Sequence, residues 1–328
     1  MNRQCVVQKP GDPNIYLFTA GEWYSYNPQS EPLGSGAMGT VYLGRRIKDN
    51  EKIAVKRVKD AFSNVYSIRE RAKQEAALAF RHPNLVEMIG YCEYAPNTGP
   101  IFILSKFISG ITLNNHVKMN LEQREDRVFK ITNCILSVLD ALDYIHSRGV
   151  VHRDIKPSNI MVENGVNVRL MDLGIARMNQ GNQYSAYGFI GTPQYAAPEQ
   201  INRDQNSTVQ INASTDVYCL GITFYEALTG TNPFDCASEA ETLAKQMTEK
   251  LPANPLIPKA LMQVIWKATE KEQNKRYQSA SAFKSAIQNV FVEKPGTSQK
   301  IMDVLEKNPV IIGSCVGIIV AIILLMIL

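Results

Sequence analysis

At 328 residues the chain has room for two ordinary domains or one large two-lobed one. Hydrophobic residues make up 45%, charged residues 20%, and the 20 glycines and 16 prolines match average usage, so a sizeable core is available and collagen-like or low-complexity classes are excluded. A net charge of +4 is too small for a nucleic-acid binder, and no nucleic-acid partner is expected.

Residues 1–28 mix Gly, Pro, Asn and aromatics and read as an irregular segment without the apolar run of a signal peptide. From about 30 to 110, β-like runs dominate (TVYLG, KIAVKRV, LVEMIGY, IFILSKF), interrupted by one helical stretch at 65–80. From 125 onward the spacing of Val128, Ile131, Ile135, Val138, Leu139 and Leu142 is helical. A β-rich first part and a helix-rich second part make an α+β chain of two unlike lobes. Residues 291–309 are polar, with Pro295 and Gly296, and read as a juxtamembrane linker.

Val310 to Leu328 is nineteen residues without a charge. At 1.5 Å rise per residue it reaches about 28 Å, the thickness of a bilayer's hydrocarbon core. Lys300 and Lys307 precede it, so the expectation is a single-pass C-terminal transmembrane helix with residues 1–309 in the cytoplasm. Gly313 and Gly317 form a G-x-x-x-G spacing that lets two such helices pack closely, an expectation of homodimerisation. The six cysteines (5, 92, 134, 219, 236 and 315) contain no C-x-x-C pair, the pattern of free thiols in a reducing compartment.

The chemistry lies in an ordered set of motifs. Gly34, Gly36 and Gly39 in GSGAMGTV let backbone N–H groups approach phosphate oxygens, and no helix follows at once, which argues against a dinucleotide fold. Taken alone that run is more often a flexible turn, and a strand lysine such as Lys56 in IAVK is equally a surface residue. Then come His152-Arg153-Asp154-Ile155-Lys156-Pro157-Ser158-Asn159, Asp172-Leu173-Gly174, Gly191-Thr192-Pro193, Ala197-Pro198-Glu199, and Asp216 in TDVYCLG.

In this order the motifs resemble those of a eukaryotic-type (Hanks-type) serine/threonine protein kinase, over residues 29–290. The resemblance implies a bilobal protein-kinase-like fold, β-rich first and helical second, that uses ATP and Mg2+ to phosphorylate serine or threonine hydroxyls on proteins, with autophosphorylation. It implies that Gly34, Ser35, Gly36 and Gly39 cover the ATP phosphates and that Lys56 holds the α and β phosphates. Val41, Ala54 and Met161 enclose the adenine. Asp154 accepts the substrate proton, Lys156 meets the γ-phosphate, and Asn159 and Asp172 bind Mg2+. Glu75, rather than Glu70, is the helix partner of Lys56. At the hinge, Ser105 takes the gatekeeper position, and the Lys106 carbonyl and Ile108 N–H meet the adenine edge. Thr192 is placed against Asp154 and Lys156, Glu199 with Arg276 as a buried ion pair, and Asp216 beneath the catalytic loop. Leu173 departs from the family's usual Phe. Ser185 is the candidate regulatory phosphosite, and residues 202–215 run longer than the family's usual connection.

The alternative is a membrane-tethered pseudokinase, a nucleotide-binding scaffold. It requires a broken catalytic set, whereas Lys56, Asp154, Asn159 and Asp172 are all present. A kinase-like small-molecule phosphotransferase would lack the peptide-positioning run from Gly191 to Glu199.

Overall fold

The computed structural model describes residues 5–36, 39–63, 65–77, 80–95, 98–119, 124–172, 184–185, 188–189, 192–202 and 210–291. Of these, Phe62, Ser67, Arg71, Glu75, Arg124, Glu125 and residues 184–185 and 188–189 are described by their backbone alone. Leu173, Gly174, Gly191, residues 203–209 of the 202–215 connection, and everything from 292 on, including the linker and the apolar 310–328 segment, lie outside the described residues. The chain divides into two units, Met1–Lys284 and Ser285–Leu328.

The first unit opens with a sheet. Its strands are β1 (Val6–Gln8), β2 (Ile15–Thr19), β3 (Glu22–Tyr26), β4 (Gly34–Ser35), β5 (Gly39–Arg46), β6 (Lys52–Val58), β7 (Met88–Ala95) and β8 (Thr98–Lys106). The order is β1-β2-β3-β5-β6-β8-β7, with β4 paired to β5, and the described pairings are antiparallel.

The first three strands correct the expectation of an irregular 1–28. Thr19 pairs with Glu22 across a two-residue turn in which Ala20 and Gly21 have φ of 50° and 79°, the left-handed pair of a tight hairpin. Leu17, Tyr24 and Tyr26 alternate inward, and the Phe18 and Trp23 rings sit 5.1 Å apart. That alternation was present in the sequence, but the scattered Gly, Pro and Asn obscured it.

Pleating gives the sheet two covered faces. On one, Ile53, Val55, Cys92, Phe102 and Leu104 pack against Val6, Leu17, Tyr24 and Tyr26. On the other, Val58, Ile101 and Ile103 pack against Ala72 and Ile68 of α2 (Tyr66–Ala77), which follows the short α1 (Asp60–Ser63). The expected helix at 65–80 is α2, and α1 is a separate turn that precedes it. Arg69 of α2 is fully buried: its guanidinium donates to Glu93 Oε2 at 2.6 Å and to the carbonyls of Ser63 and Gly99, tying the helix to the β7–β8 hairpin.

The helical part begins with β9 (Gly110–Thr112), α3 (Leu113–Met119) and α4 (Arg124–His146). It continues with β10 (Ile160–Glu163), β11 (Asn167–Leu170), β12 (Tyr184–Ser185), β13 (Gly188–Phe189), α5 (Pro198–Ile201), α6 (Ala213–Thr229), α7 (Glu239–Thr248), α8 (Lys259–Ala268) and α9 (Ala280–Phe291). Strands β9, β10 and β11 form a second small sheet. Helix α6 is the axis of this lobe, almost wholly buried from Ser214 to Leu228. Asn212 caps its start by accepting the Ser214 N–H at 2.9 Å, and Gly230 ends it at φ 81°. Helix α4 buries Ile131, Ile135, Val138, Leu139 and Leu142, the stripe its periodicity marks.

Candidate active site

The cleft face of the first sheet follows from register. Directly paired residues of antiparallel strands share a face. Val41 pairs with Lys56, Lys56 with Ile103, and Ala54 with Ser105, so Val41, Ala54, Lys56 and Ser105 line one surface. Strand β4 folds over β5, with Gly34 opposite Val41, Ser35 opposite Thr40, and Gly36 N–H on the Gly39 carbonyl at 2.9 Å. A Cβ on Gly34 or Gly36 would meet nothing within 4 Å, so both face open space. A Cβ on Gly39 would lie 2.6 Å from the Arg57 carbonyl, so this glycine is required by β6 itself. Lys106 ends β8, its N–H held by the Glu87 carbonyl at 2.9 Å, and Ile108 is buried just beyond it. Met161 lies between buried Ile160 and Val162 on β10, hence on the opposite face of that strand.

The catalytic loop, residues 152–159, hangs from Asp216 at the start of α6. Asp216 is fully buried, and it accepts the N–H groups of His152 and Arg153, each at 2.7 Å, and His146 Nε2 at 2.8 Å. Burial pushes this carboxyl up, but the bond from His146 and the nearby charges outweigh burial and hold it below the usual range. His152, also fully buried, has its pKa lowered by burial and is neutral at pH 7. Its Nδ1 accepts the Asp154 N–H at 3.3 Å, so the ring proton sits on Nε2, which donates to the Met171 carbonyl at 2.9 Å. One imidazole thereby ties Asp154 to the chain just before Asp172. Arg153, at φ 68°, takes a left-handed turn that aims Asp154 into the cleft, and Gln200 Nε2 holds its carbonyl at 3.0 Å.

Asp154 is the point of convergence. Its Oδ1 accepts from Thr192 Oγ1 at 2.9 Å, and its Oδ2 lies 3.1 Å from Lys156 Nζ and 3.2 Å from Asn159 Nδ2. Lys156 also donates to Thr192 at 2.7 Å, closing a triangle across 38 residues of chain. Asn159 Nδ2 donates to the Asp154 carbonyl at 2.8 Å as well. Both donor contacts use the amide nitrogen, so the Asn159 side-chain oxygen has no donor among the described residues. Asp172, at φ 49°, accepts from Lys56 Nζ at 2.9 Å, and that ammonium holds its carboxyl below the usual range.

The amide oxygen of Asn159 and the carboxylate of Asp172 are hard oxygen donors, the set that suits Mg2+, which takes one or two protein ligands and leaves positions for water and phosphate. Among the described residues there is no His/Cys cluster to suggest another metal. The residues present thus fit both the nucleotide and the ion.

The sequence-based site is brought together at Val41, Ala54, Lys56, Ser105, Asp154, Lys156, Asn159 and Asp172. The Glu199–Arg276 pair forms as expected: the guanidinium donates to both carboxylate oxygens at 2.7 and 2.8 Å, and both side chains are buried. Glu75 lies on α2, but its side chain, like that of Ser185, lies outside the described residues. The roles of His146, the His152 ring and Gln200 were not read from sequence. The only local signal was a histidine, His146, in the last turn of α4.

The protein kinase domain family matches residues 28–292. A probable serine/threonine-protein kinase PknB of Lactococcus lactis is 33% identical over 253 residues, covering 75% of this chain and 39% of the relative. Serine/threonine-protein kinase PknB of Mycobacterium tuberculosis is 31% identical over 292 residues, covering 85% and 45%. The chain thus spans less than half the length of these relatives. The crystal structure of a cysteine-to-alanine mutant of the Mycobacterium tuberculosis PknI kinase domain superposes with a TM-score of 0.62 at 24% identity, over 86% of this chain and 98% of that one, a likeness of fold. Its motifs, its lobes and this match over most of its length agree: the chain belongs to the protein kinase domain family.

Proposed function

We propose that the protein is a serine/threonine protein kinase that transfers the γ-phosphoryl group of ATP to hydroxyls of protein substrates. The observation that carries the reading is the Asp154 carboxylate held by Thr192, Lys156 and Asn159, facing the Lys56–Asp172 pair. Asp154 orients the attacking hydroxyl and takes up its proton; a carboxylate suffices because the transition state is loose and positioning dominates. Lys156, beside that carboxylate, offsets the charge of the transferring group. Lys56 grips the nucleotide phosphates and releases Asp172. Asn159 and Asp172 would hold Mg2+, which when bound neutralises phosphate charge. The serine/threonine assignment rests on Lys156 two residues after Asp154 and on the names of the relatives.

The reading extends to a membrane-anchored enzyme. Residues 310–328 would form a single transmembrane helix, with the kinase domain on the cytoplasmic side, supported by their uncharged length and by Lys300 and Lys307 before them. Among the described residues no helix is long and apolar enough to cross a membrane. Pairing of two chains through Gly313 and Gly317 would favour autophosphorylation, with Ser185 as acceptor. The test is radiolabelled phosphate transfer from ATP by the full chain in liposomes, with Mg2+ and a generic basic protein, followed by phosphoamino-acid analysis. Label on serine or threonine is expected. Nucleotide binding without transfer, in liposomes as in detergent, would favour the scaffold reading.

A further inference from the structure

The N-terminal strands do more than extend the sheet; β1 and β2 fold back onto β7 at its far edge. Gly90 of β7 sits against the Thr19 side chain so closely that a Cβ there would strike Thr19 Oγ1. Two residues on, Cys92 Sγ donates to the Phe18 carbonyl at 3.4 Å, and the Phe18 N–H bonds the Cys5 carbonyl at 2.8 Å. Cys5 Sγ in turn donates to the carbonyl of Glu93, the neighbour of Cys92, at 3.1 Å. Each thiol thus reaches across the same seam, one from the N-terminal strands and one from β7. They are near enough that negative charge on Cys5 opposes ionisation of Cys92, whose thiol burial has already pushed up to about 12. The pair is unequal: Cys92 is 1% exposed, whereas Cys5 is half-buried at the edge.

We propose that Cys5 and Cys92 are a peroxide-oxidisable pair that closes to a disulfide and staples the N-terminal strands to the kinase sheet. The more accessible partner, Cys5, reacts first. The Cys5 thiolate attacks one oxygen of hydrogen peroxide, the O–O bond breaks, hydroxide leaves, and Cys5 becomes a sulfenic acid. The Cys92 sulfur then attacks the Cys5 sulfur. The S–S bond forms as the S–O bond breaks, and the departing hydroxide takes the Cys92 proton and leaves as water. Two thiols lose two electrons and one peroxide becomes two waters. A small thiol such as glutathione reverses the step by exchange. Burial of Cys92 makes the second step slow and also shields the finished bond. The other described cysteines lie apart in sequence and structure, with Cys134 on α4, Cys219 on α6, and Cys236 just before α7. The staple lies one residue from Glu93, whose side chain anchors Arg69 of α2, so it stiffens the strand that carries that helix.

The test uses the full chain treated with hydrogen peroxide, alkylated, digested without reduction and read by mass spectrometry. The expected product is a peptide joining Cys5 to Cys92, two hydrogens lighter than the two thiol peptides and abolished by dithiothreitol. In the same sample, amide exchange over residues 15–26 should slow several-fold. Cys5→Ser should remove the linked peptide and leave exchange unchanged by peroxide. The proposal is overturned if Cys5 advances to sulfinic acid while Cys92 stays a thiol, or if the linkages join Cys5 of different chains. Neither readout depends on phosphoryl transfer, so failure here leaves the kinase reading standing.

Discussion

The two walls of the cleft are held in opposite ways. On the helical side, the catalytic loop is fixed from below by atoms that water does not reach: Asp216, fully buried, takes two backbone N–H groups and a histidine, and Glu199 takes both arms of Arg276. On the sheet side, Lys56 pairs with an Asp172 whose side chain is 47% exposed. One wall is set before any ligand arrives, and the other is poised to exchange partners, because the same ammonium must reach phosphate and the same carboxylate must reach a metal. Preorganisation sits where charge develops on the substrate hydroxyl, and adaptability sits where the nucleotide enters and leaves.

If that contrast is right, mutations on the two walls should differ in kind. The largest effect is expected from Glu199→Ala, which leaves the Arg276 guanidinium buried without its carboxylate. A loss of about 3–5 kcal/mol follows, read as a fall in Tm. Asp216→Ala strands the His152 and Arg153 N–H groups. It should cost about 2–5 kcal/mol and remove transfer even where the protein still folds, measured by denaturant unfolding beside activity.

A third test is Lys271, a half-buried lysine without a matched carboxylate. Lys271 donates to the Tyr218 hydroxyl at 2.7 Å, and burial, with the Arg276 charge beside it, lowers its pKa to about 7. Between about pH 7 and 10 the unfolded chain holds a proton there that the folded chain has lost, so stability rises with pH. Relative to Lys271→Met, the wild type should gain up to about 1.4 kcal/mol per pH unit in that window, by unfolding at several pH values. The smallest stability effect belongs to the other wall: Lys56→Met should change stability by no more than about 1 kcal/mol, since its ion pair is partly exposed. Its consequence should appear as weaker nucleotide binding in calorimetry. A large loss of stability in Lys56→Met, or a trivial one in Glu199→Ala, would erase the distinction.

The sequence was most informative where residues are consecutive. Asp154, Lys156 and Asn159 fall within six positions, so their cluster could be read from one motif, and the heptad-like stripe of α4 announced its buried face. It was least informative where a contact spans the chain. That Lys56 meets Asp172, 116 residues away, or that His146 supports Asp216, depends on how the lobes fold. The N-terminal strands were obscured for a different reason: their apolar alternation is short, and the Gly21 turn that joins two of them looks like any loop glycine until Thr19 and Glu22 are seen paired. The cysteines read as unrelated thiols because Cys5 and Cys92 meet only once those strands curl onto β7.

The most direct test of the account compares the wild type with Asp154→Asn in two assays on the same preparation: Mg2+-dependent ATP binding and transfer of labelled phosphate to protein. Asparagine keeps the shape and can still meet Thr192 and Lys156, but it cannot accept a proton. The account predicts unchanged nucleotide binding and a fall in transfer of about 10²–10⁴-fold. Transfer at the wild-type rate by Asp154→Asn would contradict the assignment of Asp154 as the base.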